Sequence, residues 1–255
     1  LNFWDSPLDD TLKAATRVAN RSTDVLDVKD WLSSYDDGRP TSSNQGTTEL
    51  PFQRWFKFKE AFSPKFVADT VGALPHSVKR CLDPFSGSGT TGLTCSFLGI
   101  DSINLEVNPF LADLIAAKMT PTSSASVLSH YEKLVSGLQI SPEDRHLPNG
   151  MPLTMREPGV ADRWIFAADV YDTIRALVRG LESVPPLERR LIRVLIGSVL
   201  VTNSNVLING KGRRYRRNWQ TRVRTASDLL ADLDAAVDKA VADISRFAGK
   251  GPTAV

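Results

Sequence analysis

The chain has 255 residues, of which 42% are hydrophobic, 24% charged and 8% aromatic, enough apolar material for one large globular domain or two small ones, which excludes disorder and collagen-like repeats. The longest uncharged stretch of the C-terminal half, 194–210, is broken by Ser198, Thr202, Asn203, Ser204, Asn205 and Asn209 and is too polar to span a bilayer. Thirty-one basic against 29 acidic residues leave a net charge of only +2, so any nucleic-acid role must come from uneven charge distribution. No basic leader precedes an apolar run at the N-terminus, and a soluble, cytoplasmic protein is expected. Cys81 and Cys95 are too few for a disulfide scaffold or a four-ligand metal site and stand in apolar context, where buried reduced thiols are expected.

In chain order, Asp5, Ser6 and Pro7 start a helix expected over about 7–20, with an apolar stripe at Leu8, Leu12, Ala15 and Val18. Val25 to Leu32 predicts a second short helix, and 37–49 a mobile polar loop. A third strand is a candidate over 52–58. Ser63 and Pro64 repeat the cap-and-proline signal and open a helix that closes before Pro75. Segments 80–85 and 102–107 read as strands around a helix at 90–98, a βαβ pattern. Beyond a connector at 143–160 the chain reads as three helices, about 162–182, 187–202 and 226–247, with no further strand. Trp164 and Phe166 open the first of these as core residues. The expected division is 1–50 (N-terminal helices and loop), 51–142 (α/β unit) and 143–255 (helical region).

The segment DPFSGSGTTG, 83–92, joins the first strand to its helix. Gly87 and Gly89 let backbone approach a ligand that a side chain would obstruct, and the helix start beyond them offers unpaired N–H groups to an anion. Glu106, nineteen residues after Gly87, stands where an acid accepts both hydroxyls of a ribose. Gly87, Gly89 and Gly92 also satisfy the dinucleotide fingerprint, so a nicotinamide or flavin enzyme is a rival. Asp83 separates the two readings: an acid at the strand end suits an ammonium, and with Glu106 it describes S-adenosyl-L-methionine. No Lys-Ser or Lys-Thr follows the glycines, which excludes a P-loop.

DPFSGSGTT resembles motif I of the DNA amino-methyltransferases, which modify adenine N6 or cytosine N4. LEVNP, 105–109, resembles their motif II, and RWFKFKEAFSPKFV, 54–67, their motif X. The resemblance covers roughly 54–119. It implies cofactor contacts at Asp83, Pro84, Phe85, Gly87, Ser88, Gly89, Thr90, Thr91, Glu106 and Asn108, and at Phe62, Ser63 and Phe66 of the motif X segment, with simple packing beneath the sheet as the alternative for Phe66. It also implies a restriction-modification or phage-defence setting. A glycine loop of this kind occurs in RNA methyltransferases too, whose usual RNA-binding appendage is not seen.

The family's acceptor-Pro-Pro-aromatic tetrapeptide, which would align the exocyclic amine and stack the flipped base, is absent. Pro185-Pro186 lies between Val184 and Leu187 and reads as a turn, so no catalytic residue is assigned. The expected fold class is therefore α/β: a partial Rossmann-like methyltransferase sheet with a largely helical C-terminal region, completed by a partner chain or by a missing part of the same chain. Leu1 in place of methionine fits a fragment, processing or unusual initiation. A split enzyme is expected, its companion carrying the tetrapeptide, with a non-catalytic DNA-binding subunit as the rival.

Residues 211–224, KGRRYRRNWQTRVR, hold Lys211, Arg213, Arg214, Arg216, Arg217, Arg222 and Arg224 with no acid among them. Tyr215 and Trp219 are interleaved, a composition suited to phosphate neutralisation with stacking on double-stranded DNA. The competing reading pairs these arginines with Asp228, Asp232, Asp234 and Asp238. Residues 203–212 ahead of them read as a loop. His76, His130 and His146 are scattered, and no metal is expected.

Overall fold

The computed structural model describes residues 31–32, 42, 44, 46–120, 122–209 and 212–247. The helix expected over 7–20 and most of the loop expected over 37–49 lie outside the described residues, as does Lys211. The second expected helix is described only at Trp31 and Leu32, which are helical. The described residues divide into two compact units, one holding Leu128–Asp238 and one combining those from Trp31 to Val127 with those from Lys239 to Phe247.

In the second of these units, helix α1 (Pro64–Gly72) begins where Ser63 accepts a 3.1 Å bond from the Lys65 amide and Pro64 occupies the first turn, so the missing proline N–H costs nothing. Strands β1 (Arg80–Asp83) and β2 (Asp101–Asn104) pair in parallel, Arg80 opposite Asp101 and Asp83 opposite Asn104, with α2 (Thr90–Phe97) as the crossover. Val67, Cys95 and Ile100 form a small core against which Phe62, Val71, Cys81 and Leu98 pack. Cys95 is buried, and burial pushes its thiol up to about 12, whereas Cys81 is only half-buried. A second, aromatic core stacks Trp31 on Phe97 at 4.3 Å and sets Phe52 and Phe247 edge-on or tilted around them.

The segment 52–58 is not a strand. It makes a 3₁₀ turn at Gln53–Trp55 because its polar groups converge on one buried acid instead of a neighbouring strand: Asp243 accepts from the Phe52 amide (2.9 Å), the Arg54 guanidinium and the Trp55 indole (2.9 Å). Helix α3 (Pro109–Met119) follows β2, capped by Asn108, which accepts from the amides of Phe110 and Leu111. Helix α4 (Ser124–Ser136) comes next. Neither helix was expected.

In the unit Leu128–Asp238, α5 (Ala168–Gly180), α6 (Pro186–Leu200) and the first part of α7 (Ala226–Arg246) supply a buried Leu, Ile and Val core. Helix α5 starts six residues later than the sequence suggests, because Arg156 bridges Phe166 and Val160 bridges Arg163 in extended backbone. Phe166 is buried but opens no helix, and Trp164 is half-buried. The 203–212 segment, expected as a loop, contributes a strand. β3 (Val206–Asn209) pairs antiparallel with β4 (Gly212–Tyr215), Val206 opposite Tyr215, the short apolar run being hidden in the sequence by the Asn and Gly around it. The result is mixed α/β, with two two-stranded sheets among the described residues. No described helix is long and apolar enough to cross a membrane.

Candidate functional site

The turn after β1 is held by backbone bonds on both sides. Leu105 N–H donates to Asp83 O (2.9 Å), Ser86 N–H donates to Leu105 O (3.0 Å), and Gly89 N–H closes on Ser86 O (2.7 Å). These bonds draw the segment after β2 alongside the glycine loop. Gly87 and Gly89 both have positive φ, +51° and +79°, a region that disfavours any residue with a Cβ. Space adds a second restriction: a Cβ on Gly87 would lie 2.9 Å from Phe58 Cε1, and one on Gly89 2.9 Å from Ile115 Cγ1.

Glu106 joins the two strand ends. One carboxylate oxygen accepts from Gly87 N–H at 2.8 Å, the other from Asn108 N–H at 2.8 Å. Each oxygen has a second acceptor position, so a fixed, half-exposed carboxylate retains capacity for a pair of hydroxyls. Asp83 spends one oxygen on Phe85 N–H at 3.1 Å, and its other oxygen has no hydrogen-bond partner among the described residues, leaving a site for a cation. The unit thus offers a glycine turn packed too tightly against Phe58 and Ile115 to take a Cβ, and two acids with free acceptors. That donor and acceptor set fits an amino acid attached to a nucleoside.

The other expected contacts are distributed more widely. Ser88 and Thr90 are buried beneath the turn, and Phe85 stands 89% exposed beside it. Thr91 is half-buried. The Asn108 carbonyl oxygen is committed to its helix cap and Ser63 to the cap of α1. Phe62 and Phe66 meet edge to face at 5.9 Å, Phe62 against the α1–α2 core and Phe66 exposed. Pro84 lies within the turn and is exposed.

Three residues that the sequence did not single out complete the loop's support. Phe58 covers Gly87. Lys118, buried on α3, donates to Ser88 O at 2.7 Å and to Gln53 Oε1 at 2.9 Å, while Gln53 donates to Thr90 Oγ1 at 3.3 Å. Burial lowers Lys118 to about 7. A lone lysine on an apolar helix ordinarily extends to solvent, so its sequence context gave no signal.

The arginine segment, in the other unit, splits into two groups. Arg216 donates to Ser204 O and Val201 O, and Arg222 to Ser204 O and Thr202 O, all between 2.6 and 3.1 Å. These carbonyls lie just beyond α6, where a helix leaves acceptors unpaired and favours cations. Arg224 bonds Asn203 Oδ1 and pairs with Asp232 and Asp228. Arg213, Arg214 and Arg217 are exposed and make no hydrogen bond or ion pair with a described residue. Trp219 packs against Trp164 and Tyr215, both at 5.2 Å, and Arg163 lies over the Tyr215 ring at 5.8 Å. Among the described residues no group of three His, Cys, Asp or Glu could hold a metal ion.

Comparison with known proteins gives the same direction for part of the chain. Over 115 residues it is 38% identical to the type II methyltransferases M.AvaI of Nostoc sp. and of Anabaena variabilis, a stretch that is 45% of this chain and 23% of each relative. Over 72 residues it is 38% identical to the type II methyltransferase M.BsoBI of Geobacillus stearothermophilus, 28% of this chain and 14% of that one. The matching part is homologous to type II DNA methyltransferases. The chain thus covers less than a quarter of the length of these curated relatives. No family model and no solved structure matches.

Proposed function

We propose that this chain carries the cofactor-binding part of an S-adenosylmethionine-dependent DNA amino-methyltransferase, acting on adenine N6 or cytosine N4 in a cytoplasmic restriction-modification system. One observation carries the reading: Glu106 bonds at once to the loop amide of Gly87 and to Asn108 N–H, fixing an acid where a ribose would lie. Glu106 would accept the ribose hydroxyls and Asp83 the amino-acid ammonium, and the Gly87–Gly89 turn, packed on Phe58 and Ile115, would hold the two acids in place. S-adenosylmethionine, when bound, supplies an already activated methyl group, so the chain's own task is to orient the donor.

The amine-binding tetrapeptide and the remaining strands belong, on this reading, to a second polypeptide or to sequence beyond this segment. Two features support that. A parallel sheet is normally covered on both faces and extends beyond two strands. Here Leu82 is 59% and Val107 99% exposed at the ends of the strand pair, an apolar surface of the kind that is covered in an assembled protein.

Isothermal titration of the chain with S-adenosylmethionine tests the proposal. Saturable binding that Asp83→Ala and Glu106→Gln each weaken at least about tenfold, or about 1.4 kcal/mol, is the expected result. Wild-type protein that stays folded and binds none of the donor would leave a DNA-binding subunit with a relic pocket.

A further inference from the structure

Successive residues of a strand point to opposite faces, so Arg213 and Arg214 of β4 project from opposite sides of the β3–β4 ribbon. Both are exposed. Neither face at this end of the ribbon is closed over: Ile208, opposite Arg213, is itself 54% exposed, and Leu207, opposite Arg214, is half-buried. A ribbon that docks flat on an acidic surface needs cations on one side only. Cations on both sides suit an element flanked by two rows of negative charge.

The base of the ribbon is rigid. Asn205 N–H donates to Ile165 O at 2.7 Å, Asn205 O accepts from Arg216 N–H at 2.9 Å, and the Arg216 and Arg222 guanidiniums fasten the next turn to the carbonyls after α6. Tyr215, Trp219 and Trp164 pack together beside it. Arg163, from a different part of the chain, and Arg217 add exposed charge at the same place. Three exposed guanidiniums with no hydrogen bond or ion pair to a described residue, and a fourth, Arg163, resting over the Tyr215 ring, therefore surround a braced two-stranded ribbon.

We infer that the β3–β4 ribbon enters the major groove of double-stranded DNA, with Arg213 and Arg214 directed to the phosphates of its two walls and Arg163 and Arg217 on the flanking backbone. In undistorted B-DNA the major groove is wide enough for a two-stranded ribbon, and the minor groove is not. Arg216, Arg222 and Arg224 act within the fold and do not touch DNA. The inference builds on the proposal that DNA is the substrate, but it does not depend on cofactor binding.

The test is binding of the full chain to a fluorescein-labelled duplex across a salt series. Arg163, Arg213, Arg214 and Arg217 replaced together by alanine should reduce the slope of log affinity against log salt by roughly 3 to 4, since each neutralised phosphate contributes about 0.9. Methyl green, a major-groove ligand, should displace the wild-type chain, and netropsin, a minor-groove ligand, should not. Trp219 emission should change on binding in the wild type and not in Trp219→Phe. An unchanged slope in the fourfold variant with DNA binding intact would overturn the ribbon while leaving DNA as substrate. Displacement by netropsin alone would move the contact to the minor groove, and a folded wild-type chain without duplex binding would remove both claims.

Discussion

The ammonium of Lys118 lies 2.7 Å from the carbonyl oxygen of Ser88, inside the protein at 2% exposure, with Gln53 as its other partner. Desolvation is the cause of its lowered pKa, about 7 against 10.5 for an ordinary lysine. The folded state therefore holds fewer protons than the unfolded one between pH 7 and 10.5, and stability rises with pH through that window because the proton that folding must release costs less to remove as pH rises. The stability difference between wild type and Lys118→Met should change by about 1.4 kcal/mol per pH unit over pH 7.5–9.5, in favour of wild type as pH rises. Urea denaturation at three pH values measures it, and a pH-independent difference would show that the lysine stays charged.

Gly89 tests the loop itself. Alanine there would have to adopt φ +79° and place its Cβ 2.9 Å from Ile115 Cγ1. Left-handed backbone costs about 1–2 kcal/mol for an L-residue, and overpacking adds about 1–3 kcal/mol. Gly89→Ala should lose about 2–5 kcal/mol in denaturant unfolding and its donor binding with it. Gly72→Ala, at the last residue of α1 where a Cβ meets nothing within 4 Å, is the control: it should keep donor binding and gain at most about 1 kcal/mol of stability.

Asp243 is 1% exposed and accepts from a backbone amide, a guanidinium and an indole. Alanine in its place would strand the Phe52 and Trp55 donors in the interior, at a cost of about 3–5 kcal/mol for a broken buried ionic group. Thermal unfolding should show the loss, and exchange of the Phe52–Trp55 amides should accelerate well beyond the change in global stability. Uniform acceleration across the unit would mean that Asp243 is not a local anchor.

Local signals account for what could be read in the sequence. The Ser63-Pro64 and Asn108-Pro109 pairs carry their own capping chemistry, although the helix after Asn108 was missed because α3 is apolar on nearly all sides and shows little periodicity. Strand, glycine turn and Glu106 follow one another within 27 residues and needed no distant partner to be recognised. The failures are long-range. The turn at Gln53–Trp55 depends on an acid about 190 residues away, and the support of Ser88 by Lys118 spans 30 residues with no sequence pattern to announce it. The arginine segment shows the same limit: composition made seven cations equivalent, and only the carbonyls beyond α6 separate the engaged ones from the exposed ones.

The open side of the strand pair gives the last prediction. β1 has one hydrogen-bonded neighbour among the described residues, and Leu82 projects from it at 59% exposure. A core leucine replaced by lysine would unfold a protein of ordinary stability, whereas an exposed one changes stability by no more than about 0.5 kcal/mol. Leu82→Lys should accordingly melt with wild type. It should also reduce concentration-dependent self-association of the isolated chain in sedimentation velocity, because a charge on a sheet edge opposes pairing with another edge. If the rest of the methyltransferase fold completes this sheet, the same substitution should block reconstitution with it, so that a stable, monomeric variant would be unable to recover methyl transfer. A Leu82→Lys chain that unfolds would instead mean that the strand pair is already enclosed by its own protein.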